Sequence, residues 1–433
     1  MARVLLRIRS DGKTHKEAGV AKTNDIPRFG LLSGYRVVMV GLSVAAPFAA
    51  ELYAEHGADV IWVENPINPD MGRFSQHGAS TQQDRRNMRS LAMNYLKGEG
   101  RSAFLKLIET ADVLIEASVG GRFASKGLGD EELWEVNPRL VIAHISGFGQ
   151  TGIESYVKRA SYDPIAQAFG CAMRMNGIEG QPSIPAMPFP GDYSAAFYAF
   201  GMTLAALLKR QETGRGESID VAQFETMMRI QSQYPIKGWT YGEEYVKEGT
   251  HSLICALYGT YVCNDCEEVY VLFLGPGVLK AGLPLLGLEY ASELFPEGEG
   301  IIPYGSHAGD VAEEAFANFL AQHTAEEVET ILNEAGVPCS RLMNYEQAAA
   351  DPHYQARGVI ETWPAVDGMH EISGVKVVPD LANYPGRVWR GAPCTGQDND
   401  DILSELGFSS DAIAEMYECN LLGKKSYKES FAN

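Results

Sequence analysis

Positive charge is scarce in this chain of 433 residues: 36 lysines and arginines stand against 56 aspartates and glutamates, a formal net charge of −20. Such a field repels phosphate backbones, so nucleic acid is not an expected partner, and any anionic small molecule needs a local basic patch. Long apolar runs are missing as well. No stretch approaches the ~20 residues that span a bilayer, and the first residues hold no apolar segment of the signal-peptide kind. A cytoplasmic protein without membrane contact is expected. Cysteine is sparse, with seven residues at 171, 255, 263, 266, 339, 394 and 419. Cys263 and Cys266 form a CxxC, but no second CxxC and no HxxxH completes a zinc site. The pair also lies between strand-like runs, whereas a thioredoxin-type motif opens a helix. Reduced thiols and no bound metal are expected. The nine histidines are scattered singly, and His144, on an apolar strand, reads as a core residue.

Two common catalytic signatures are also lacking. After the strand-like "VVMV" the chain reads Gly41-Leu42-Ser43-Val44-Ala45-Ala46-Pro47, which is not the GxGxxG of a dinucleotide site. Pro47 also removes an N–H where a pyrophosphate would dock. Glu64 ends the next strand about where a ribose-binding acid belongs, but the glycines are absent. "HISGFGQ" places Ser146 at a strand end without the GxSxG elbow of a hydrolase. It reads as a tight turn, although such turns at carboxyl strand ends are where α/β sheets place their ligands.

What is present is an alternation of β-branched strands with amphipathic helices. "YRVVMVGL", "DVIWVENP", "DVLIEAS" and "RLVIAHISGFG" alternate with "AAPFAAELYAEHGA", "GEGRSAFLKLIETA" and "DEELWEVN". That pattern predicts an α/β fold, a doubly wound parallel sheet with helices on both faces. Residues 1–28 read as a polar tail and 29–230 as the first part of a large domain. "YSAAFYAFGMTLAALLKRQETGRG" is helical there, followed by a strand-like "SIDVAQFETMMRI". A shift to aromatic-rich segments marks a smaller α+β domain over 231–345, and 346–433 returns to the large domain.

In "RASYDPIAQAFG", Asp163 precedes Pro164 and a helical apolar spacing. Asp is a favoured N-cap and Pro a favoured first helical residue, which gives a purely structural reading. The same geometry suits chemistry. A carboxylate at a helix start lies in the positive end of the macrodipole beside free N–H donors, and an ionised aspartate can attack an activated acyl group. Local sequence leaves both readings open.

Ordered motifs from about Phe29 to about Leu422 carry a resemblance: "FGLLSGYRVVMVG", "PFAAELYAEHGADVIWVENP", "GLGDEELWEVNPRLVIAHISGFGQTG", "SYDPIAQAF", "ETGRGESIDVAQFE", "DPHYQARGVI" and "WRGAP". The chain resembles the family III CoA-transferases, in particular the branch acting on carnitine or bile acids. The resemblance implies a Rossmann-like large domain with a small domain, in two interlocked chains. It implies an acyl-CoA and a free carboxylic acid as substrates, with no tightly bound cofactor and no metal. Asp163 would be the nucleophile, passing through a mixed anhydride and an aspartyl-CoA thioester.

Carried over by position, the turn Ser43 to Ala46, with Ser43, Ala45 and Ala46, would meet the pantetheine. Lys97 matches a lysine of the CoA site, and Ala117 and Ser118 lie beside the adenine. Ser125 stands where relatives carry an adenine-stacking arginine, and Lys126 keeps a charge beside it. The basic cluster Arg85, Arg86 and Arg89 either meets CoA phosphates or forms a solvated turn. Val44 replaces a glutamine of the formyl-CoA branch, and that branch's glycine run is absent. Both departures argue against oxalate and formate.

A sister activity, α-methylacyl-CoA racemisation, uses a histidine where this chain has Tyr162. Its second acid is matched by Asp192, so the two-base pair is incomplete. The expected activity is CoA transfer between carnitine and crotonobetaine or γ-butyrobetaine, with Tyr234, Trp239, Tyr241 and Tyr245 offering faces to a quaternary ammonium. A bile acid or another larger carboxylate is the competing substrate. A non-catalytic acyl-CoA-binding protein is the alternative from another class.

Overall fold

A computed structural model describes residues 26–431, so most of the tail at 1–28 lies outside the described residues. The chain divides into two compact units. The first comprises residues up to 172 together with 186–235 and 356 onward; the second comprises 173–185 and 236–355.

The first unit is built on six strands: β1 (Arg36–Val40), β2 (Asp59–Glu64), β3 (Arg89–Ala92), β4 (Val113–Ala117), β5 (Val141–Ser146) and β6 (Ser218–Ala222). They lie in the order β3-β2-β1-β4-β5-β6, every neighbouring pair parallel. β2, β3 and β5 are buried at every position, and the largely apolar runs of β2 and β5 follow from that: a parallel sheet is covered on both faces. Successive side chains alternate between those faces. Val37, Met39, Val60, Trp62, Val113 and Ile115 share one core with α1 (Ala45–Glu55) and a long helix at Pro190–Thr213. Alanines at 46, 49, 50, 195, 196 and 199 line that core, and their small side chains allow close approach of the two helices. Val38, Ile61, Leu91, Leu114 and Ile142 face the opposite side. There they meet α2 (Gly98–Glu109), α3 (Asp130–Val136) and the helices Asn399–Glu405 and Ser410–Glu418. The sheet is thus doubly wound. Its strand order reverses between β1 and β4, the place where such sheets bind ligands.

Three further helices of this unit bear on the site: α4 (Asp163–Phe169), α5 (Pro190–Thr213) and α6 (Gln223–Arg229). The last departs from expectation. "SIDVAQFETMMRI" is not one strand: β6 ends at Ala222 and Gln223 opens a helix. Burial of Gln223, Thr226 and Met227 follows the helical i, i+3, i+4 spacing.

The second unit holds a three-stranded antiparallel sheet of Tyr258–Val262, Glu268–Leu272 and Cys339–Arg341. Helices His307–Leu320 and Ala325–Glu334 supply Phe316, Val328 and Leu332 to its core. Cys263 and Cys266 lie in the hairpin turn, where burial pushes the Cys263 thiol up to about 11. All seven cysteines are free. Among the described residues no helix is long and apolar enough to cross a membrane, and no cluster of His, Cys, Asp and Glu suits a metal ion.

Candidate active site

The carboxyl ends of β1, β4 and β5 converge on a cleft of about 250 Å³. A larger cleft, about 590 Å³, lies at the opposite ends of the strands, beside Tyr35, Arg36, Asp59 and Asp112. The smaller one occupies the switch point, where such sheets bind their ligands.

After β1 the chain turns sharply at Ser43, which holds φ 67, a left-handed conformation unusual for a residue with a β-carbon. Two groups behind the turn fix it. The Ser43 amide donates to Asp70 Oδ2 at 2.9 Å, and Arg85 donates to the Ser43 carbonyl at 2.6 Å and to Asp70 Oδ2 at 2.5 Å. The turn therefore presents Leu42, Ser43, Val44 and Ala45 to the cleft.

From β4 come Ala117 and Ser118. The Ser118 hydroxyl donates to Glu116 Oε2 at 2.6 Å, and the His144 ring bridges Glu116 Oε1 at 2.7 Å and Asp130 Oδ1 at 2.8 Å. Burial disfavours a charged imidazole here, but the carboxylates of Asp130 and Glu116 outweigh it and hold His144 up at about 9. His144 is therefore a buried cation tying β5 to β4 and α3, a role beyond the core residue its apolar strand predicts.

From β5 come Ser146 and Gly147. Gly147 lacks a β-carbon for a reason: one placed there would stand 2.1 Å from the Ser161 β-carbon. That contact lays the loop Arg159–Tyr162 along the cleft wall. The Arg159 guanidinium lies over the rings of Phe148 and Tyr156, 5.3 and 5.2 Å from their centroids.

Tyr162, not Asp163, is the N-cap of α4; Asp163 is already helical, and its carboxylate makes no cap bond within its own helix. The physical reason is a stronger set of donors, two from another helix and one side chain a turn further along α4. The amides of Gly191 and Asp192, in the first turn of α5, donate to Asp163 Oδ1 at 2.6 and 3.3 Å, and Gln167 Nε2 donates to Oδ2 at 2.5 Å. Asp163 is 2% exposed, and first-turn amides of a 24-residue helix have no helical acceptors of their own. Asp192 itself lines the cleft, with Gln223 donating to its Oδ1. Burial and then the Asp163 charge push the Asp192 carboxyl up to about 7.

Ser43, Ala45, Ala117 and Ser118 are thus brought together around the cleft, with Asp163 behind its wall. Ala46 is not; it is fully buried, packed where a β-carbon on Gly41 would lie 2.7 Å away. Lys97 caps α2 and Lys126 ends a short turn, both exposed and outside the cleft lining. Arg101, one turn after Lys97, donates to the Lys126 and Gly127 carbonyls at 2.9 and 2.6 Å. Arg101 thus ties the start of α2, which Lys97 precedes, to the turn that carries Lys126.

The cluster of Arg85, Arg86 and Arg89 is not a solvated turn. All three are buried, to 0, 1 and 0% exposure. Arg86 pairs with Glu55 and lies 4.7 Å from the Trp363 ring; Arg89 pairs with Asp59 at 2.8 Å and Glu405 at 3.0 Å. Arg85 pairs with Asp70 at 2.5 Å, and Arg86 and Arg89, enclosed by their own acids, have no face to offer a phosphate. Arg159, Gly191 and Gln223 escaped the sequence reading as site residues. The signal was positional for Gly191 and Gln223, each in the first turn of a helix, whereas Arg159 lies in the loop before α4.

The family model described as CoA-transferase family III matches residues 32–399. The chain belongs to that family. Bile acid CoA-transferase BaiK from Clostridium scindens is 35% identical over 411 residues, covering 94% of this chain and 93% of its own. Among solved structures, a CAIB/BAIF family protein from Brucella suis superposes with a TM-score of 0.75 at 25% identity, over 88% of this chain and 100% of its own. Rv3272 from Mycobacterium tuberculosis shares the fold, with a TM-score of 0.71 at 22% identity over 85% and 98%. As a family III CoA-transferase the protein is an enzyme that works on CoA thioesters and carboxylic acids.

Proposed function

We propose that this CoA-transferase uses Asp163 as its nucleophile. The supporting observation is the carboxylate itself, buried behind the cleft wall and held by amides of Gly191 and Asp192 and by Gln167. One Asp163 oxygen attacks the acyl carbonyl of the donor thioester. The C–S bond breaks and CoA leaves as thiolate from a mixed anhydride. The thiolate then attacks the aspartyl carbonyl, the donor acid departs, and an aspartyl-CoA thioester remains. The acceptor carboxylate attacks that thioester in turn, and CoA captures the new acyl group. When thiolate adds to the aspartyl carbonyl, negative charge develops on an oxygen that already faces preset N–H donors, an oxyanion hole requiring no rearrangement.

CoA itself would meet the Ser43–Ala45 turn with its pantetheine and the Ala117–Ser118 loop with its adenine. Lys97, Arg101 and Lys126 give an acidic protein the local positive patch that CoA phosphates need. For the acid, the similarity to BaiK supports a bulky apolar carboxylate of the bile-acid class. Carnitine, a trimethylammonium carboxylate, is the alternative acid. An exposed apolar strip on α5, with Phe197 at 56%, Met202 at 52% and Leu208 at 67% exposure, supports a homodimer. The free thiols suit a reducing cytoplasm.

Purified protein offered cholyl-CoA or crotonobetainyl-CoA with each matching free acid separates the substrates by which CoA moves. Hydroxylamine added with the active acyl-CoA should leave a hydroxamate on Asp163, read by peptide mass, and Asp163→Ala should abolish transfer while retaining CoA binding. A hydroxamate on another residue, or transfer by the alanine variant, would refute the assignment.

A further inference from the structure

Transfer through a mixed anhydride releases CoA as a thiolate into a protein of net charge −20, and the same thiolate must return. The group best placed to manage its proton is the second carboxyl of the cleft. Asp192 is 6% exposed, follows Gly191 in the first turn of α5, and donates its amide to Asp163 Oδ1 at 3.3 Å. Its side chain faces the cleft, anchored by Gln223. The nucleophile thus has a carboxyl neighbour, and that neighbour borders the space where a thioester enters.

We infer that Asp192 is a catalytic proton store: neutral in the resting enzyme, it gives its proton to the departing CoA sulfur and takes it back when CoA returns. The inference rests on Asp163 as the nucleophile. The bookkeeping closes. Asp163 carboxylate and acyl-CoA, with Asp192 protonated, become the anhydride, CoA thiol and an ionised Asp192. Acylation also removes the negative charge of Asp163, the neighbour that favours the protonated form of Asp192, so the proton becomes easier to surrender at the moment it is needed. In the next step Asp192 accepts the thiol proton, and thiolate attacks the aspartyl carbonyl.

The groups facing Asp192 are Asp163 from α4, Gln223 from α6 and Tyr193 on its own helix, while Arg159 and Tyr162 from the loop before α4 line the same cleft. On α1, Glu51 lies against Arg86 instead. Burial raises the Asp192 carboxyl, the Asp163 charge adds to it, and the Gln223 hydrogen bond opposes the shift.

The experiment follows single-turnover acylation at saturating acyl-CoA from pH 5.5 to 9 in wild type, Asp192→Asn and Asp192→Glu. Wild-type acylation should fall as pH rises through about 7, where Asp192 ionises. Asp192→Asn should bind CoA normally, acylate roughly 10²-fold or more slowly, and lose that alkaline limb; Asp192→Glu should restore part of both. A wild-type profile flat across the range would overturn the proposal even if the asparagine variant does not fold. So would an asparagine variant that keeps wild-type rate or the wild-type limb. A normal hydroxamate on Asp163 in that case would leave the nucleophile standing and remove only the proton store, whereas no adduct on Asp163 in wild type would sink both.

Discussion

Gly191 donates its backbone N–H to Asp163 Oδ1 at 2.6 Å, and a β-carbon on Gly191 would stand 2.9 Å from that same oxygen. The glycine is what lets a long helix bring its first-turn amides onto the carboxylate.

Gly191→Ala therefore has one place to exert its effect. Met227 and Ala166 are next nearest, at 3.4 and 3.5 Å, so the carboxylate is the group that must shift. Turnover should fall on the order of 10²-fold, the usual effect of an ångström-scale misplacement, while CoA affinity holds. Steady-state kinetics beside CoA titration checks this; unchanged turnover would show that the Asp163 position tolerates displacement.

His144 gives a stability prediction with a definite sign. Its folded pKa is raised to about 9 from the ordinary 6.5. The folded state thus binds the proton more tightly, and the stabilisation is fully present below about pH 6.5 and lost as pH rises through about 9. Asp130, whose pKa is lowered chiefly by its hydrogen bond from His144, acts in the opposite window: its contribution is present above its unfolded pKa and is lost as pH falls through the folded one. Urea unfolding should show wild type losing on the order of 2–3 kcal/mol between pH 6.5 and 9.5 relative to His144→Gln. Parallel curves for the two proteins would contradict the charged bridge.

The two basic groups should separate cleanly. Arg86→Met leaves Glu55 buried without its partner and should cost about 3–5 kcal/mol of stability. CoA affinity of the folded fraction should be unchanged. Lys97→Ala with Lys126→Ala should do the reverse, raising KM for acyl-CoA and weakening its salt dependence with little change in unfolding midpoint. Isothermal titration at two salt concentrations distinguishes them, and an Arg86 variant with weakened CoA binding would return that residue to the ligand.

Much of the frame is legible in the sequence because a parallel sheet buried on both faces leaves a local mark, runs of Val, Ile and Leu separated by helical periods. Asp163 is legible through its motif. Its donors are not, because Gly191 and Asp192 lie 28 and 29 residues away, and nothing local says that one helix will start on another's carboxylate. The arginine cluster misleads for the same reason. Three arginines in a polar stretch look solvated until Asp70 closes on Arg85, Glu55 on Arg86, and Asp59 and Glu405 on Arg89, the last 316 residues distant from its partner. The end of β6 at Ala222 was hidden because "DVAQFETMM" satisfies both alternation and helical spacing.

Ser43 touches the cleft, yet what shapes it stands behind it. A left-handed turn at a non-glycine residue costs about 1 kcal/mol or more, and it persists here through Asp70 and Arg85. The side chain at 43 is accordingly free to drift among small residues, glycine included, without disturbing the pocket. Asp70 has no such latitude. The wall that meets the ligand is inherited through a carboxylate that never sees it.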